Sequence, residues 1–381
     1  MEFERIRGRV EKLRRLMEEN GMDAFVLFVF ERLNSESCHY ISGFRGSSAV
    51  VVIDGWRELL VTDGRYRTQA TQQSPFELST LTGIPLPEFV VKLVNEQGYQ
   101  CVGFESEKVF HSIVEGYLRK TRTEWKDASS LVPFLRRTKD ASEVDAIRRA
   151  GLIARRAYGK ALEQAREGMT EAEFEGILLR EIKAAGGEKG WAHDDFVVVS
   201  GERGALCHGR ATQRPFAVGD TVTVDYGAMV DGYMCDVTRN FAIGRVQPRA
   251  LEIGQTLVKA YQAAAAALRP GALGKDIDAV ARKVIAEAGF EENFLHGLGH
   301  GLGLEIHEPP RLSLLSKDVL QVGDVVTIEP GIYIEGWGGL RVEDDYLVTE
   351  QGASPLTHNG FADEEQFYGP SRWSGVELIT R

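Results

Sequence analysis

The sequence predicts an α+β protein of two domains, in which the larger domain contains two similar halves. Three observations lead to this prediction. The chain has 381 residues, more than one hydrophobic core usually serves. Helix-like and strand-like segments alternate through its first third, as they do in small α/β domains. A Val-Gly-Asp pattern at residues 218–236 returns at 322–343, and each copy leads into a β-branched run followed by acidic residues.

The N-terminal part has the pattern of a small α/β domain. We predict its elements at residues 2–20 (helix), 24–30, 49–53 and 58–62 (strands), 89–96 (helix), 101–104 (strand) and 112–121 (helix). A charged segment, 136–140, follows Pro133. We therefore predict domains at residues 1–137 and 138–381.

In the second domain, each half is predicted to be a pair of helices followed by a hairpin. The predicted helices span residues 142–167, 170–185, 251–268 and 275–288. Ser142 is the candidate cap of the first helix, and Thr170 with Glu173 forms a capping box for the second.

The first hairpin is predicted to bring two carboxylates together. Asp231-Gly232 is typical of a two-residue hairpin loop. Such a loop sets Asp225 opposite Thr238, so that Asp236 becomes its diagonal neighbour on the same face of the sheet.

The second hairpin is predicted to repeat this arrangement. A loop of about three residues, 336–338, is expected to set Glu329 opposite Asp345, with Glu343 in the diagonal position. Four carboxylates would then face one point. Because like charges this close destabilise a fold unless cations lie among them, the pattern predicts bound divalent metal.

Between the hairpins, a glycine-rich segment holds three of the eight histidines, His296, His300 and His307. Its glycines at 297, 299, 301 and 303 disfavour a helix, which excludes an HExxH zinc helix, but they allow close approach of another backbone. An extended segment of this kind can direct histidines into a cleft. His208, in a small-residue loop after a strand-like segment at 196–200, is a further candidate.

The composition excludes several classes of protein. No apolar run approaches 18 residues, so neither a signal peptide nor a membrane span is expected, and the cytoplasm is the expected location. A net charge of -11 argues against general nucleic-acid binding. The four cysteines are scattered without a CxxC pair and are expected to be reduced.

The acidic residues and one histidine, taken with their local sequences, resemble a known family. The motifs VDYGAMVDGYMCDVTR, HGLGHGLGLEIHE, TIEPGIYI and RVEDD resemble those that carry the five metal ligands of the pita-bread metallopeptidases of family M24. The matching residues here are Asp225, Asp236, His300, Glu329 and Glu343. More narrowly, the chain resembles the Xaa-Pro peptidases aminopeptidase P and prolidase, and residues 40–48 and 62–66 resemble their N-terminal domain.

The resemblance implies a pita-bread domain with pseudo-twofold halves, preceded by a smaller creatinase-type α/β domain. It implies a dinuclear site in which Asp225 binds one ion, Asp236 and Glu343 bridge both, and His300 and Glu329 complete the other. The metal is expected to be Mn²⁺, with Co²⁺, Zn²⁺ or Fe²⁺ as alternatives, because the donors are mostly hard oxygens. A bridging hydroxide would be the nucleophile.

The resemblance also implies roles for residues around the metals. These are Glu329 as proton shuttle, His307 as oxyanion stabiliser, His208 as a substrate contact near the proline, and His296 in the proline pocket. Arg341 lies two residues before Glu343, on the same strand face, and is expected to neutralise part of the carboxylate cluster.

The resemblance favours an aminopeptidase P-type enzyme, which removes the N-terminal residue from peptides with proline second. Prolidase, which accepts Xaa-Pro dipeptides, is the alternative. A non-catalytic pita-bread binding module or a creatinase-type hydrolase is more distant, because such proteins lose several of the five ligands. A homodimer is expected. Residues 31–39 and 361–374 depart from the family pattern, and we expect them to affect dimer contacts or access to the pocket.

Overall fold

The computed structural model describes residues 2–31, 33–191, 196–357 and 377–379. The chain forms two compact units, Met1–Arg136 and Arg137–Arg381. Within the described ranges, no helix is long and apolar enough to cross a membrane. The segment 361–374, for which the sequence suggests an effect on dimer contacts or access, lies outside the described residues.

The first unit contains one mixed sheet of six strands with the order β4-β3-β2-β1-β5-β6. The strands are β1 (Ala24–Phe30), β2 (Ser48–Asp54), β3 (Glu58–Asp63), β4 (Glu77–Leu81), β5 (Cys101–Phe104) and β6 (Glu124–Asp127). The helices are α1 (Glu2–Glu19), α2 (Ser35–Ser42), α3 (Arg67–Gln73), α4 (Leu86–Gln97), α5 (His111–Gly116) and α6 (Leu131–Arg137). β1 is apolar along its length because it lies inside the sheet, between antiparallel β2 and parallel β5.

The predicted elements of this unit are found close to their expected positions. β1 and β5 have the predicted limits, and α1 and α4 cover their predicted segments. The helix predicted at 112–121 is interrupted: α5 ends at Gly116, and a 3₁₀ turn, Leu118–Lys120, follows Tyr117. Pairing with other strands and helix caps set the boundaries of β2, α2, α3 and β4. The hydrophobic periodicity of the sequence does not specify them.

The second unit consists of two halves, each made of two helices and an antiparallel sheet with its own hydrophobic core. The helices are α7 (Ala141–Leu162), α8 (Glu171–Ala184), α9 (Pro248–Ala267) and α10 (Gly274–Glu287). The strands of the first half are β7 (Val197–Ser200), β8 (Thr221–Tyr226), β9 (Met229–Val230), β10 (Tyr233–Met234) and β11 (Val237–Ile243), with β19 (Glu377–Ile379) added in parallel. The strands of the second half are β12 (Gly299–Gly301), β13 (Glu308–Leu312), β14 (Val325–Ile328), β15 (Gly331–Ile334), β16 (Gly338–Arg341), β17 (Asp344–Thr349) and β18 (Gly352–Pro355).

Of the two helix caps predicted in this unit, the one for α8 is confirmed and the one for α7 is wrong. Thr170 and Glu173 form the predicted capping box of α8. α7 is capped by Asp140 and not by Ser142, because the Asp140 carboxylate accepts from the backbone N–H groups of Ser142 and Glu143. α7 also ends at Leu162, before the predicted limit.

The first hairpin has the predicted register. Tyr233 pairs with Val230 around the two-residue loop Asp231-Gly232, whose φ angles are 52° and 84°. Asp225 lies opposite Thr238, as expected.

The register predicted for the second hairpin is wrong by two residues. Asp345 pairs with Thr327 and not with Glu329. The pairs Ile328–Asp344 and Gly331–Arg341 share one register, which places Glu329 level with Glu343. The loop does have three residues, but these are 335–337, one residue earlier than the predicted 336–338, and this shifts the partner of each residue by two.

The glycine-rich segment brings backbones together, as expected. A Cβ on Gly299 would lie 2.1 Å from the Thr327 carbonyl oxygen, and one on Gly301 would lie 2.2 Å from that of Pro309. Only glycine fits at such positions. The extended part, however, is limited to the three residues of β12.

A buried carboxyl group in the first unit generates a prediction for stability. Glu105 is 2% exposed, so its carboxyl group is almost completely removed from solvent. Burial raises its pKa from 4.5 to about 7, although Asn34, Ser37 and the charge of Arg136 oppose the shift.

Because the folded pKa lies above the ordinary value, Glu105 contributes stability that is fully present below pH 4.5 and is lost as the pH rises through about 7. Between about pH 5 and about pH 8, the wild type should therefore lose about 2 to 3 kcal/mol relative to Glu105→Gln. Urea unfolding at both pH values measures this. The exposed Glu107→Gln is the matched control, and identical pH dependence of wild type and Glu105→Gln would contradict the prediction.

Candidate metal centre

A cluster of buried acids and one histidine lies where the two halves of the second unit meet. Ligand atoms of Asp236, His300 and Glu343 all lie within 4.8 Å of one another. His300 Nε2 lies 3.7 Å from Asp236 Oδ2 and 3.3 Å from Glu329 Oε1. The cluster therefore contains four of the five residues that resemble metal ligands.

The fifth, Asp225, joins the cluster through a buried guanidinium group. Arg341 Nη2 donates to Asp225 Oδ2, and Arg341 Nε donates to Thr238 Oγ1 at 3.0 Å. Thr238 Oγ1 in turn donates to Glu343 Oε2 at 2.6 Å. Arg341 is 3% exposed, so its charge is directed to the carboxylates and not to solvent.

The backbone positions the five residues from both halves. Asp225 lies on β8, Asp236 precedes β11, and His300 lies on β12. Glu329 follows β14 and Glu343 precedes β17. An isolated bridge between Thr238 and Glu343 joins the two hairpins, and so the repeat in the sequence becomes two facing copies of one carboxylate-bearing unit.

Three of the carboxyl groups lie in surroundings that favour their protonated form. The pKa values of Asp225, Asp236 and Glu343 are raised, first by burial and also by neighbouring carboxylates, while Arg341 partly offsets the effect at Asp225 and Glu343. At Glu329 burial acts in the same direction, but the hydrogen bond and charge of His300 outweigh it and lower the pKa. The single guanidinium group of Arg341 therefore does not neutralise the negative charge of the cluster.

Two buried oxygens in the cluster lack partners. Within the described residues, Asp225 Oδ1 and Asp236 Oδ1 accept no hydrogen bond. Buried polar atoms are normally satisfied, so atoms left open here are available to another group. Hard carboxylate oxygens with one imidazole are a donor set suited to divalent cations, and the residues present therefore fit bound metal.

A hydrogen-bond network behind the cluster fixes its backbone. Asp345 Oδ2 accepts from the backbone N–H of Asp236 at 3.0 Å. Arg239 donates to the Glu343 carbonyl oxygen and, at 2.7 Å, to Asp344 Oδ1. These contacts fix the backbone of two candidate ligands, Asp236 and Glu343, as outer partners of metal ligands commonly do. No local sequence motif predicts this role of Asp345 and Arg239.

The remaining histidines line one side of the cluster. His296 Nε2 lies 2.9 Å from Tyr333 Oη, and His296 Nδ1 lies 3.9 Å from Glu329 Oε2. The His307 ring packs edge-on against His300, with centroids 4.3 Å apart. Desolvation of the ring, followed by the charges of His300 and Arg311, lowers the pKa of His307 to about 4. Its imidazole is therefore neutral at pH 7.

His208 is exposed to solvent, and it lies close enough to His296 and His307 to add a small contribution to the lowering of their pKa values, which burial causes first. The structure thus places all four histidines singled out in the sequence, His208, His296, His300 and His307, around one site. Tyr333 was missed. It also accepts from Arg341 Nη1 at 2.8 Å, but no local pattern distinguishes it from an ordinary strand tyrosine.

A buried ion pair supports the turn that carries His307. Lys139 Nζ donates to Glu308 Oε2 at 3.0 Å, and both side chains are almost fully buried. Glu308 Oε1 accepts from the backbone N–H of Glu305. Because both oxygens of Glu308 are engaged, the residue before it is held in a defined place. The two residues are 169 positions apart, so no local sequence pattern predicts this pair.

Comparison with known proteins agrees with this geometry. Residues 145–350 match the family described as metallopeptidase family M24, and residues 9–138 match the creatinase/prolidase N-terminal domain. A Xaa-Pro dipeptidase of Pyrococcus furiosus is 34% identical over 354 residues, which cover 92% of this chain and 98% of that protein.

Solved structures give the same result for the fold. An X-Pro aminopeptidase from Thermotoga maritima has a TM-score of 0.88 at 33% identity, covering 97% of this chain and 99% of that chain. A Xaa-Pro dipeptidase from Bacillus anthracis has a TM-score of 0.89 at 34% identity, covering 98% and 100%. Full-length similarity, both family matches and the buried acidic cluster together establish that this chain belongs to metallopeptidase family M24 and is a peptidase.

Proposed function

We propose that this protein is a metal-dependent Xaa-Pro dipeptidase, which hydrolyses dipeptides with proline in the second position. The observation that carries the proposal is the buried cluster of carboxylates around His300, with open oxygens on Asp225 and Asp236. Proteins named Xaa-Pro dipeptidase are similar to the chain over nearly its whole length. We therefore rank the dipeptidase activity above the aminopeptidase P-type activity that the sequence favours.

Five residues would hold two divalent ions: Asp225, Asp236, His300, Glu329 and Glu343. The hard oxygen donors favour Mn²⁺, with Co²⁺, Zn²⁺ and Fe²⁺ as alternatives. When bound, such ions supply an activated water as nucleophile and polarise the scissile carbonyl group. No serine or cysteine nucleophile is required in this proposal.

The protein's own residues would move the proton and orient the peptide. Glu329 has a lowered pKa and is ionised at neutral pH, so its carboxylate can accept a proton and pass it to the leaving proline nitrogen. His307 is neutral and can donate an N–H to the developing oxyanion. His208 and His296 would contact the proline residue, and Arg341 would keep Asp225 in place.

Aminopeptidase P activity is the second candidate, because the similar Thermotoga maritima structure is named an X-Pro aminopeptidase. The two activities share one reaction and differ in the length of peptide accepted. The domain limits 1–137 and 138–381, the homodimer and the cytoplasmic location remain predictions.

The first prediction concerns substrate length. After metal removal and reconstitution with Mn²⁺, the protein should release alanine from Ala-Pro and leave Ala-Pro-Ala intact, because a dipeptidase accepts only peptides that end at the proline. Chromatographic detection of free alanine measures this. Release from both peptides would establish the aminopeptidase instead. Activity that persists in the demetallated protein would contradict the metal-dependent proposal.

The second prediction concerns metal content. Glu343→Gln removes a proposed bridging carboxylate, and bound Mn²⁺ should fall from about two ions per chain to less than one. Elemental analysis of the dialysed protein measures the stoichiometry. Glu335→Gln, the same change on the exposed loop between β15 and β16, is the matched control and should retain both ions. Equal metal content in the two variants would exclude Glu343 as a ligand.

The third prediction concerns the oxyanion. His307→Ala should lower kcat by about 10²- to 10³-fold, or about 3 to 4 kcal/mol, since one oxyanion donor typically supplies that much. Its Mn²⁺ content should stay at the wild-type level. His111→Ala, in the exposed start of α5, controls for loss of a histidine elsewhere. A kcat within about threefold of the wild type would remove His307 from the mechanism.

A further inference from the structure

We propose that Glu171, the first residue of α8, is a positioning residue for the segment 200–212, which presents His208 to the substrate. We call this segment the 200–212 loop. The inference rests on the proposed function, because that function makes His208 a substrate contact. Neither the sequence motifs nor the five candidate metal ligands include Glu171.

Glu171 binds both ends of the loop. At one end, its Oε1 accepts from the backbone N–H of Ser200 at 2.9 Å and from Ser200 Oγ at 2.7 Å. At the other end, its Oε2 accepts from the backbone N–H of Thr212 at 3.0 Å and from Thr212 Oγ1 at 2.6 Å. Arg203 Nε lies 3.3 Å and 3.2 Å from the two oxygens. Two residues twelve apart in the chain are therefore tied to one carboxylate.

The carboxylate has no other task in the described structure. Glu171 is fully buried, and among the described residues the donors to its carboxylate come from the 200–212 loop. The start of α8 is capped separately, by the reciprocal hydrogen bonds of Thr170 and Glu173. A buried carboxylate costs free energy unless its donors are well placed. The hydrogen bonds to the loop, and not the cap of the helix, therefore explain why a buried carboxylate lies at position 171.

Between these anchors, the loop contacts β16, which carries Arg341 beside the carboxylate cluster. The Cys207 carbonyl oxygen accepts from Arg341 Nη1 at 3.2 Å, and Arg341 also holds Asp225. A Cβ on Gly204 would lie 2.6 Å from the backbone nitrogen of Gly339, so loop and β16 are in backbone contact. Glu171 thus ties the two ends of the loop to each other, and β16 holds its middle. Each end has one further hydrogen bond, from Arg214 Nη1 to Ser200 Oγ at 2.6 Å and from the backbone N–H of Ala172 to the Thr212 carbonyl oxygen at 3.0 Å.

His208 follows Cys207 directly and has an exposed side chain. Its position depends on the backbone of the loop, since no hydrogen bond between its ring and another side chain is found among the described residues. Release of the anchors would leave Arg341 and the cluster in place but let His208 move away from the peptide. A displacement of about 1 Å at a substrate-contacting group is enough to weaken binding and orientation substantially.

The chemistry of the anchor requires both oxygens. Glutamine has the same shape, but its NH₂ group would face N–H or O–H donors at one end of the loop. Glu171→Gln should therefore release one anchor while the helix cap remains. Glu171→Asp keeps both oxygens and should restore part of the function.

The experiment compares Glu171→Gln, Glu171→Asp and Thr212→Val with Glu173→Ala, all as the full-length Mn²⁺-loaded protein. Glu173→Ala is the matched control, because it weakens the cap of the same helix without touching the loop. Three quantities are measured: KM and kcat for Ala-Pro, Mn²⁺ content, and the rate of tryptic cleavage after Arg210, which is exposed in the loop.

We expect Glu171→Gln to raise KM by about tenfold with kcat changed less than about threefold and Mn²⁺ content unchanged. Cleavage after Arg210 should accelerate by about tenfold, since local opening governs proteolysis. Thr212→Val should give smaller changes in the same direction, Glu171→Asp should lie between wild type and Glu171→Gln, and Glu173→Ala should leave KM and loop cleavage unchanged.

Unchanged KM and unchanged cleavage in Glu171→Gln would overturn the inference, and so would faster cleavage with unchanged KM. Equal effects of Glu173→Ala and Glu171→Gln would reduce Glu171 to a helix-stabilising residue. If Glu171→Gln is cleaved throughout the chain, Thr212→Val decides by the same criteria. If the wild type fails to hydrolyse Ala-Pro, the proposed function is wrong, while the cleavage rates still test whether Glu171 holds the loop.

Discussion

The second unit depends on one electrostatic constraint, the convergence of four acidic side chains, three buried and one half-buried, around a single imidazole. Asp225, Asp236, Glu329 and Glu343 converge within the interior, and among the described residues the permanent positive charge in direct contact with them comes from Arg341. Burial and mutual repulsion then raise the pKa values of three of the acids. Such a cluster is unfavourable by itself and becomes favourable when divalent cations neutralise it, which links the fold directly to its proposed chemistry.

The internal repeat explains how the chain assembles this cluster from distant segments. Each half supplies a hairpin with acids at corresponding places, and the bridge between Thr238 and Glu343 joins the hairpins. Supporting contacts then come from outside the repeat. The Lys139–Glu308 pair holds the turn that carries His307, and Glu171 holds the loop that carries His208. The proposed metal ligands thus lie on strands or directly beside them, whereas His208 and His307, which are proposed to contact substrate, lie on segments fixed by buried carboxylates.

Much of this could be predicted from the sequence wherever local chemistry decides the outcome. Asp231-Gly232 specifies its loop, so the first register was correct. The second hairpin has several glycines near its loop and no such two-residue signal, and its register was predicted two residues out. The cap predicted for α7, Ser142, is wrong because Asp140, two residues earlier, is also a residue type that caps helices, and the local sequence does not decide between them. The role of Glu171 could not be predicted, because its partners lie about 30 to 40 residues away and only the folded chain brings them together.

The measurement that tests the central claim most directly is thermal unfolding of the demetallated protein as a function of free Mn²⁺. If cations neutralise the buried acids, the unfolding temperature should rise with Mn²⁺ and correspond to about 4 kcal/mol of added stability at a thousandfold excess over Kd. Asp236→Asn should lose most of this rise. An unfolding temperature that does not respond to Mn²⁺, Co²⁺, Zn²⁺ or Fe²⁺ would contradict the account, because the cluster would then be stable without added cationic charge.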